Sequence, residues 1–408
     1  MADDRVHRAA ELAVRESYGR LMAFLAARSR DVAAAEDALA DALRSALETW
    51  QVQGVPLHPE AWLLTAARRR LIDLQRHRRV KNDATSSLRL AAEEAEQLAN
   101  EPSPFPDDRL KLLFVCAHPS IDPPCRTPLM LQTVLGLDAA RIASAFLVRP
   151  TTMGQRLSRA KAKIRDAQIP FEVPLASDLP GRLHAVLEAI YAAYGCGWDD
   201  VAGLDSRRTG LSTEAIDLGR LLARSTPGEP EVLGLIALML HSEARRDARR
   251  DAGGAYVPLS QQDTSRWSLP MIEEAELFLR EASSAGRVGR FQLEAAIQSA
   301  HAHRARTGVT DWETIAVLFE GLVTLAPTIG ARVGHAAAVA EARGPDAGWQ
   351  LLQNLTQADV ASYQPYWALA GHLLKALGRG AKAAQAYELA TGLCEDPATR
   401  DFLRRQSA

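Results

Sequence analysis

Cysteine is scarce in this 408-residue chain: its four copies, Cys116, Cys125, Cys196 and Cys394, are scattered, with no C-x-x-C and no nearby His ligand spacing. That distribution argues against a disulfide framework or a structural zinc and fits a reducing compartment. No stretch of about twenty apolar residues occurs, and the N-terminus has no apolar segment behind a basic one. Neither a membrane span nor a signal peptide is expected, and the location expected is cytoplasmic. Runs of alternating Val, Ile and Thr are also rare. There is no Gly-rich phosphate loop and no G-x-S-x-G, and the Asp107-Asp108 and Asp199-Asp200 pairs lack metal-spaced companions. His301 and His303, beside Arg304 and Arg306, read as surface residues of a helix. No catalysis, cofactor or metal is therefore expected.

What the chain does contain is Ala, Leu, Arg and Glu in helical spacing, with 47% hydrophobic residues overall. An all-α protein of two or three domains follows. The net charge of −2 conceals an asymmetry: residues 1–174 hold 25 Lys and Arg against 22 Asp and Glu, the remainder 23 against 28. Neither balance alone implies a nucleic-acid partner; where the charges cluster decides the matter.

Helical periodicity fills residues 7–50, and a break at Gln51–His58 contains Gly54 and Pro56. A second helix is predicted from Pro59 to Arg79, with Pro59 suited to its first turn. Lys81–Pro106 reads as a linker, with one helix at Leu88–Leu98, and Asp107–Gln168 as a compact helical unit closed by Pro170 and Pro174. From Leu179 onward helix follows helix, with one irregular loop at Ala252–Pro270. The expected divisions are residues 1–80, 81–106, 107–174 and 175–408.

Two helices carry the informative charge. On a wheel at about 100° per residue, Leu63, Ala67, Leu71 and Leu74 form one stripe. Arg68, Arg76 and Arg79 fall opposite, with Arg69 and Asp73 at the edge. An apolar seam backed by an arginine ridge suits a helix docked on a domain and facing phosphates. Trp62, following a Gly/Pro loop, adds an aromatic ring able to stack on an unpaired base. Further on, Leu137–Thr151 has the outline of a helix, a tight turn and a second helix, with Ile142, Ala143 and Phe146 as packing positions and Thr151 as a cap. In 151–166, Met153, Leu157, Ala160 and Ile164 form the buried stripe. Opposite lie Thr151, Thr152, Gln155, Ser158 and Arg159, able to read base edges; Arg156 and Lys163 flank one side, Lys161 and Arg165 the other.

These features resemble the sigma-70 family of RNA polymerase sigma factors, of the extracytoplasmic-function type. Ala35-Glu36-Asp37-Ala38-Leu39-Ala40-Asp41-Ala42-Leu43 with Pro59-x-Ala61-Trp62-Leu63-Leu64-Thr65 and Arg68-Arg69-Arg70-x-Ile72-Asp73 resembles region 2. Thr127–Ile164 resembles region 4, and Asp107–Pro119 with Ile169–Pro174 is similar to a subgroup bearing a C-terminal tetratricopeptide-like extension. The resemblance implies that core RNA polymerase is held through Glu36, Asp37, Leu39, Asp41 and Leu43. It implies that loop 51–58 and helix 59–79 open the −10 element of promoter DNA and hold a flipped base, through Trp62, Arg68, Arg69, Asp73 and Arg76, with Arg79 as a further DNA contact. It also implies that helix 151–166 reads the −35 element. Pro123, Pro124 and Pro128 depart from the pattern, so the first region 4 helix is expected to start only at Pro128.

In the C-terminal part, Tyr363–Pro397 resembles one tetratricopeptide repeat: Gly371, Ala383, Ala386 and Ala390 let two helices cross closely, and Pro397 ends the pair. Gly344-Pro345 marks a helix junction, and loop 251–270 is a candidate for docking within the chain or on a protein partner. An ordinary helix-turn-helix regulator with a ligand- or protein-sensing C-terminal domain is the alternative. Helix 31–79 separates the two readings, because a simple repressor needs no second, tryptophan-bearing basic unit.

Overall fold

The computed structural model describes residues 2–79, 107–146, 148–175, 177–199 and 210–407. It is nearly all helical, and among the described residues the only strand-like pairing is a single bridge between Arg250 and Tyr256. Contacts divide the chain into two compact units, Met1–Ala193 and Tyr194–Ala408. The expected linker at 81–106, with its helix at 88–98, lies outside the described residues.

The first unit begins with a long helix α1 (Ala2–Ser29) and α2 (Val32–Gln53). The turn between them is made by Arg30, at φ 53°, and by Asp31, whose carboxylate accepts from the Ala34 amide at 3.0 Å. That cap satisfies one of the donors a helix start leaves open. Gly54 ends α2 with φ 84°, its N–H returning to the Trp50 carbonyl, and α3 runs over the expected Pro59–Arg79. These three helices pack on one another around Phe24, Leu25, Leu39, Trp50 and Leu63, all buried.

The same unit continues with α4 (Arg109–Cys116), α5 (Pro123–Thr133), α6 (Ala139–Ala145) and α7 (Pro150–Asp166). They do not stand apart from the first three: α1 packs on α4 and α5, and α2 packs on α7. Gly19 makes the approach possible, since a Cβ there would lie 2.3 Å from the Val134 carbonyl oxygen. Nearby, Asp107 and Arg109 form a bidentate pair, and Lys111 Nζ lies 2.7 Å from the buried Asp108 carboxylate.

Three local expectations need correction. Helix α5 starts at Pro123, not Pro128, and carries Pro128 inside it. Pro123 and Pro124 occupy first-turn positions that need no donor, and Arg126 anchors the start by donating to the Ile121 carbonyl at 2.9 Å. Only Pro128 removes an interior bond, and its ring is buried in the core. Phe146 is 38% exposed rather than packed: the chain turns there, with the Val148 amide donating to the Ala143 carbonyl. Thr151 is not a cap, because α7 already starts at Pro150.

In α8 (Leu179–Asp199) the contact division falls between Ala193 and Tyr194. The second unit then has α9 (Leu211–Ser225) and α10 (Pro230–Glu243). Helix α10 is buried along nearly its whole length from Val232 to His241, as suits a helix apolar all round. Against it pack α11 (Leu269–Ser284) and α12 (Arg290–Ala302). After a one-turn α13 (Arg304–Thr307) come α14 (Trp312–Leu325), α15 (Ile329–Arg343), α16 (Pro345–Leu352) and a short α17 (Gln357–Val360). The last helices are α18 (Gln364–Ala376), α19 (Gly380–Leu393) and α20 (Pro397–Ser407).

From α12 on, helices pack chiefly on near neighbours in sequence, through successive apolar clusters. Gly344 breaks the chain between α15 and α16 at φ 101°, at the expected junction. The pair α18–α19 crosses closely at Gly371, where a Cβ would sit 2.9 Å from the Tyr387 ring. Loop 250–268 is irregular, as expected, but it is tied down. Arg266 donates to the Arg250 carbonyl, Arg304 to the Ser260 and Gln262 carbonyls, and Trp267 is buried. His303 is exposed as expected, but His301 is half-buried and lies edge-on to Trp312, with ring centroids 5.3 Å apart.

Candidate nucleic-acid interface

Helix α3 buries Leu63, Ala67 and Leu71 against α1 and α2, with Leu74 half-buried, so its apolar seam is the one the wheel predicts. Its other face carries the charge. Arg69 and Asp73 are exposed; Arg68 is half-buried, with its guanidinium 5.9 Å from the centre of the Phe24 ring. Arg76 and Arg79 belong to α3, but their side chains lie outside the described residues. Arg70 is tied to Asp41 of α2 at 2.8 Å.

Trp62 is half-buried at the start of α3 and meets the buried Trp50 edge-on, at 5.5 Å between centroids and 70° between planes. One ring therefore braces the other near the surface. Between them in sequence, Val52 and Leu57 are 87% and 89% exposed. Sequence reasoning missed these two. Their signal was present: apolar residues flanking Gly54 and Pro56 in a segment with no period that could bury them. The last turn of α2 and the loop that follows it to His58 thus expose two apolar side chains, Val52 and Leu57, in the stretch of chain that joins Trp50 to Trp62.

On α7 the buried side is Met153, Leu157, Ala160 and Ile164, as predicted. Thr151, Gln155, Ser158, Arg159, Lys163 and Arg165 are exposed; Thr152 and Arg156 are half-buried. Between Ala139 and Asp166 the chain holds seven Lys and Arg and one Asp, so this helix and its predecessor are strongly cationic. Helix α6 packs on α7 through Ile142 and Ala143, both buried. Arg156, Arg159 and Lys163 line a groove of about 600 Å³ whose opposite wall is Ser120–Cys125. Arg165 is paired to Asp166 at 2.9 Å.

Lys161 is the exception. It was expected on the outer flank with Arg165, but its side chain is only 9% exposed and its Nζ is hydrogen-bonded to Glu36 of α2. Glu36 and Lys161, expected to meet different partners, meet each other here. Among the other residues expected to hold the polymerase, Asp37 is exposed, and Leu43 is half-buried. Leu39 is 1% exposed and belongs to the core, because it shares a face with Ala35 and Ala42, against α1 and α3. Asp41 is engaged by Arg70 and, at 3.4 Å, by Arg44.

The described residues are nearly all helical, and the first unit bears two cationic helices, one starting at the half-buried Trp62, the other following a short helix and a turn. No described helix is long and apolar enough to cross a membrane, and no described group of three or more His, Cys, Asp or Glu is placed to hold a metal ion. Residues 182–283 match a family of unknown function, DUF6596. The chain is 37% identical over 401 residues to "Uncharacterized protein R00370" of Rhizobium meliloti (strain 1021), covering 97% of this chain and 94% of that protein. At that identity and coverage, the chain belongs to the same family as this Rhizobium protein. No solved structure matches.

Proposed function

We propose that this protein is an alternative sigma factor of the extracytoplasmic-function type, which binds core RNA polymerase and directs it to promoters. In this reading it has no catalytic step of its own; the polymerase supplies the chemistry. The observation that carries the reading is the presence of two differently built cationic helices in one unit. Helix α7 follows a short helix and a tight turn, presents Gln155, Ser158 and Arg159 outward and has Arg156 and Lys163 on one rim. That is a helix for an intact major groove, which supplies the −35 contact. Helix α3 with Trp62, Val52 and Leu57 offers stacking and apolar surface beside arginines, which duplex readers do not need. Such a surface suits the separated strands of a −10 element, where an unstacked base regains about 1–3 kcal/mol by stacking on an aromatic ring.

The second unit, with helices stacked on neighbours and a close α18–α19 crossing, fits a tetratricopeptide-like array that regulates the first. A helix-turn-helix regulator acting alone on duplex DNA would leave the α3 surface without a partner. The separating experiment is gel filtration of the full chain with core RNA polymerase at low salt. Co-elution at one copy per polymerase is the expected result. Duplex binding without any association with polymerase would favour the regulator and overturn the proposal.

A further inference from the structure

The second unit contains a group of arginines that the proposed promoter reading does not use. Arg246, Asp247, Arg250 and Arg266 line a cleft of about 490 Å³. Arg246 is matched by Glu243 at 2.6 Å, and also donates to Ser212 and to the Gly197 carbonyl. Arg250 reaches Asp396 through Nη2 at 2.6 Å, but its Nη1 is buried without an acceptor. Arg266 donates to the carbonyls of Arg250 and Asp247, with the exposed Asp263 carboxylate as the anion that acts on it. Asp247 is the one carboxylate in the lining.

The next residue upstream is not part of the cleft lining but adds buried positive charge next to it in sequence. Arg245 is 7% exposed; its Nη2 donates to Gln298, while Nε and Nη1 are buried without an acceptor. Its guanidinium lies 6.0 Å from the Trp267 ring centre, and that of Arg304 lies 5.1 Å from the same ring. Burial above all, with Arg249 and Arg304 adding, brings Arg245 down to about 10, despite an opposing effect of Tyr194. No carboxylate is among the groups that act on it. A buried guanidinium with open donors and cationic neighbours is unfavourable unless an anion answers it. Guanidinium groups pair best with planar or tetrahedral oxyanions, which accept two or more N–H bonds at once.

We propose that this cleft binds a small, multiply charged oxyanion, a phosphate or pyrophosphate group, through Arg250 and Arg266, with Arg246 at its edge. The anion completes the Arg250 Nη1 donor that the fold leaves open and adds acceptors for Arg266. As the cleft lies within the second unit, it supplies a small-molecule input to the regulatory role proposed for that unit. It stands or falls independently of the promoter reading, because binding is measured without polymerase or DNA.

The experiment is isothermal titration calorimetry of the full chain with inorganic phosphate, pyrophosphate and a nucleoside diphosphate at constant ionic strength. Saturable one-to-one binding is expected, weakened at least about tenfold by Arg250→Ala and less by Arg250→Lys, with helical content unchanged by circular dichroism. The strongest binder among the three probes distinguishes a free anion from a phosphorylated small molecule. Should Arg250→Ala alter the fold, Arg266→Gln gives the second reading, with the same weakening expected. Absence of heat with every probe, or binding indifferent to both substitutions, overturns the proposal. So does displacement of bound pyrophosphate by duplex DNA at equimolar amounts, which would make the cleft a backbone contact.

Discussion

Replacing Lys161 tests how the first unit is held. The Lys161 side chain is 9% exposed and Glu36 30%, and the two are hydrogen-bonded across the α2–α7 contact. Removing one partner of a fully buried pair costs about 3–5 kcal/mol. Glu36 keeps nearly a third of its surface, so water recovers part of the loss, and Lys161→Ala should cost on the order of 1–2 kcal/mol. Lys161→Glu is worse, because two carboxylates about 4 Å apart repel by up to about 4 kcal/mol at a surface-like dielectric. The assay is native-state hydrogen exchange of the full chain, followed at the α7 amides. Since about 1.4 kcal/mol is a factor of ten, Lys161→Ala should speed that exchange roughly tenfold, and Lys161→Glu further. The charge-swapped double variant, Glu36→Lys with Lys161→Glu, should recover most of the protection, with a coupling of about 0.5–3 kcal/mol. If the two single effects simply add, the pair does not couple α2 to α7 and the reasoning fails.

Three further outcomes are expected. Trp62→Ala should cut permanganate reactivity of unpaired promoter thymines about tenfold or more while changing duplex binding less than about twofold; equal losses in both would remove the strand-separation role from Trp62. Burial, then Arg245 and Arg304, hold His301 down to about 3, so the unfolded chain binds the extra proton as pH falls from about 6.5. The stability contributed is therefore full above that value and lost toward the folded value, by up to about 1.4 kcal/mol per pH unit; thermal melts should show this slope in the wild type and not in His301→Phe. Gly371→Val should destabilise the α18–α19 pair by about 1–3 kcal/mol, since its new carbons meet the Tyr387 ring; an unchanged melting profile would mean that the helices have room to part.

Much of this architecture was legible in the residues. The stripes of α3 and α7 repeat often enough for a wheel to locate their buried sides, and Gly54, Gly344 and Gly371 mark a cap, a junction and a crossing. What remained hidden depends on the neighbour that covers a face. A wheel gives the direction of Lys161 but not the presence of α2 beyond it, and so its burial against Glu36 could not be read. Phe146 reads as core by its apolar character, yet the chain turns there. Three prolines in α5 look like a broken helix until two of them fall in the first turn. His301 had a usable signal: it follows the buried Ile297 by four residues, on the same face of α12. The break expected at 51–58 starts only after Gln53, so exposed Val52 lies in the last turn of α2 and exposed Leu57 in the loop. Both were readable, but only by asking what an aperiodic apolar residue is for.

The most direct test of the sigma-factor proposal is run-off transcription with reconstituted core RNA polymerase on a pool of promoter fragments, comparing the full chain with polymerase alone. The account predicts discrete transcripts that depend on this protein and disappear when Arg159 and Trp62 are both replaced by Ala. Transcripts unaffected by the protein's presence, at a salt concentration low enough for cationic helices to hold DNA, would contradict it.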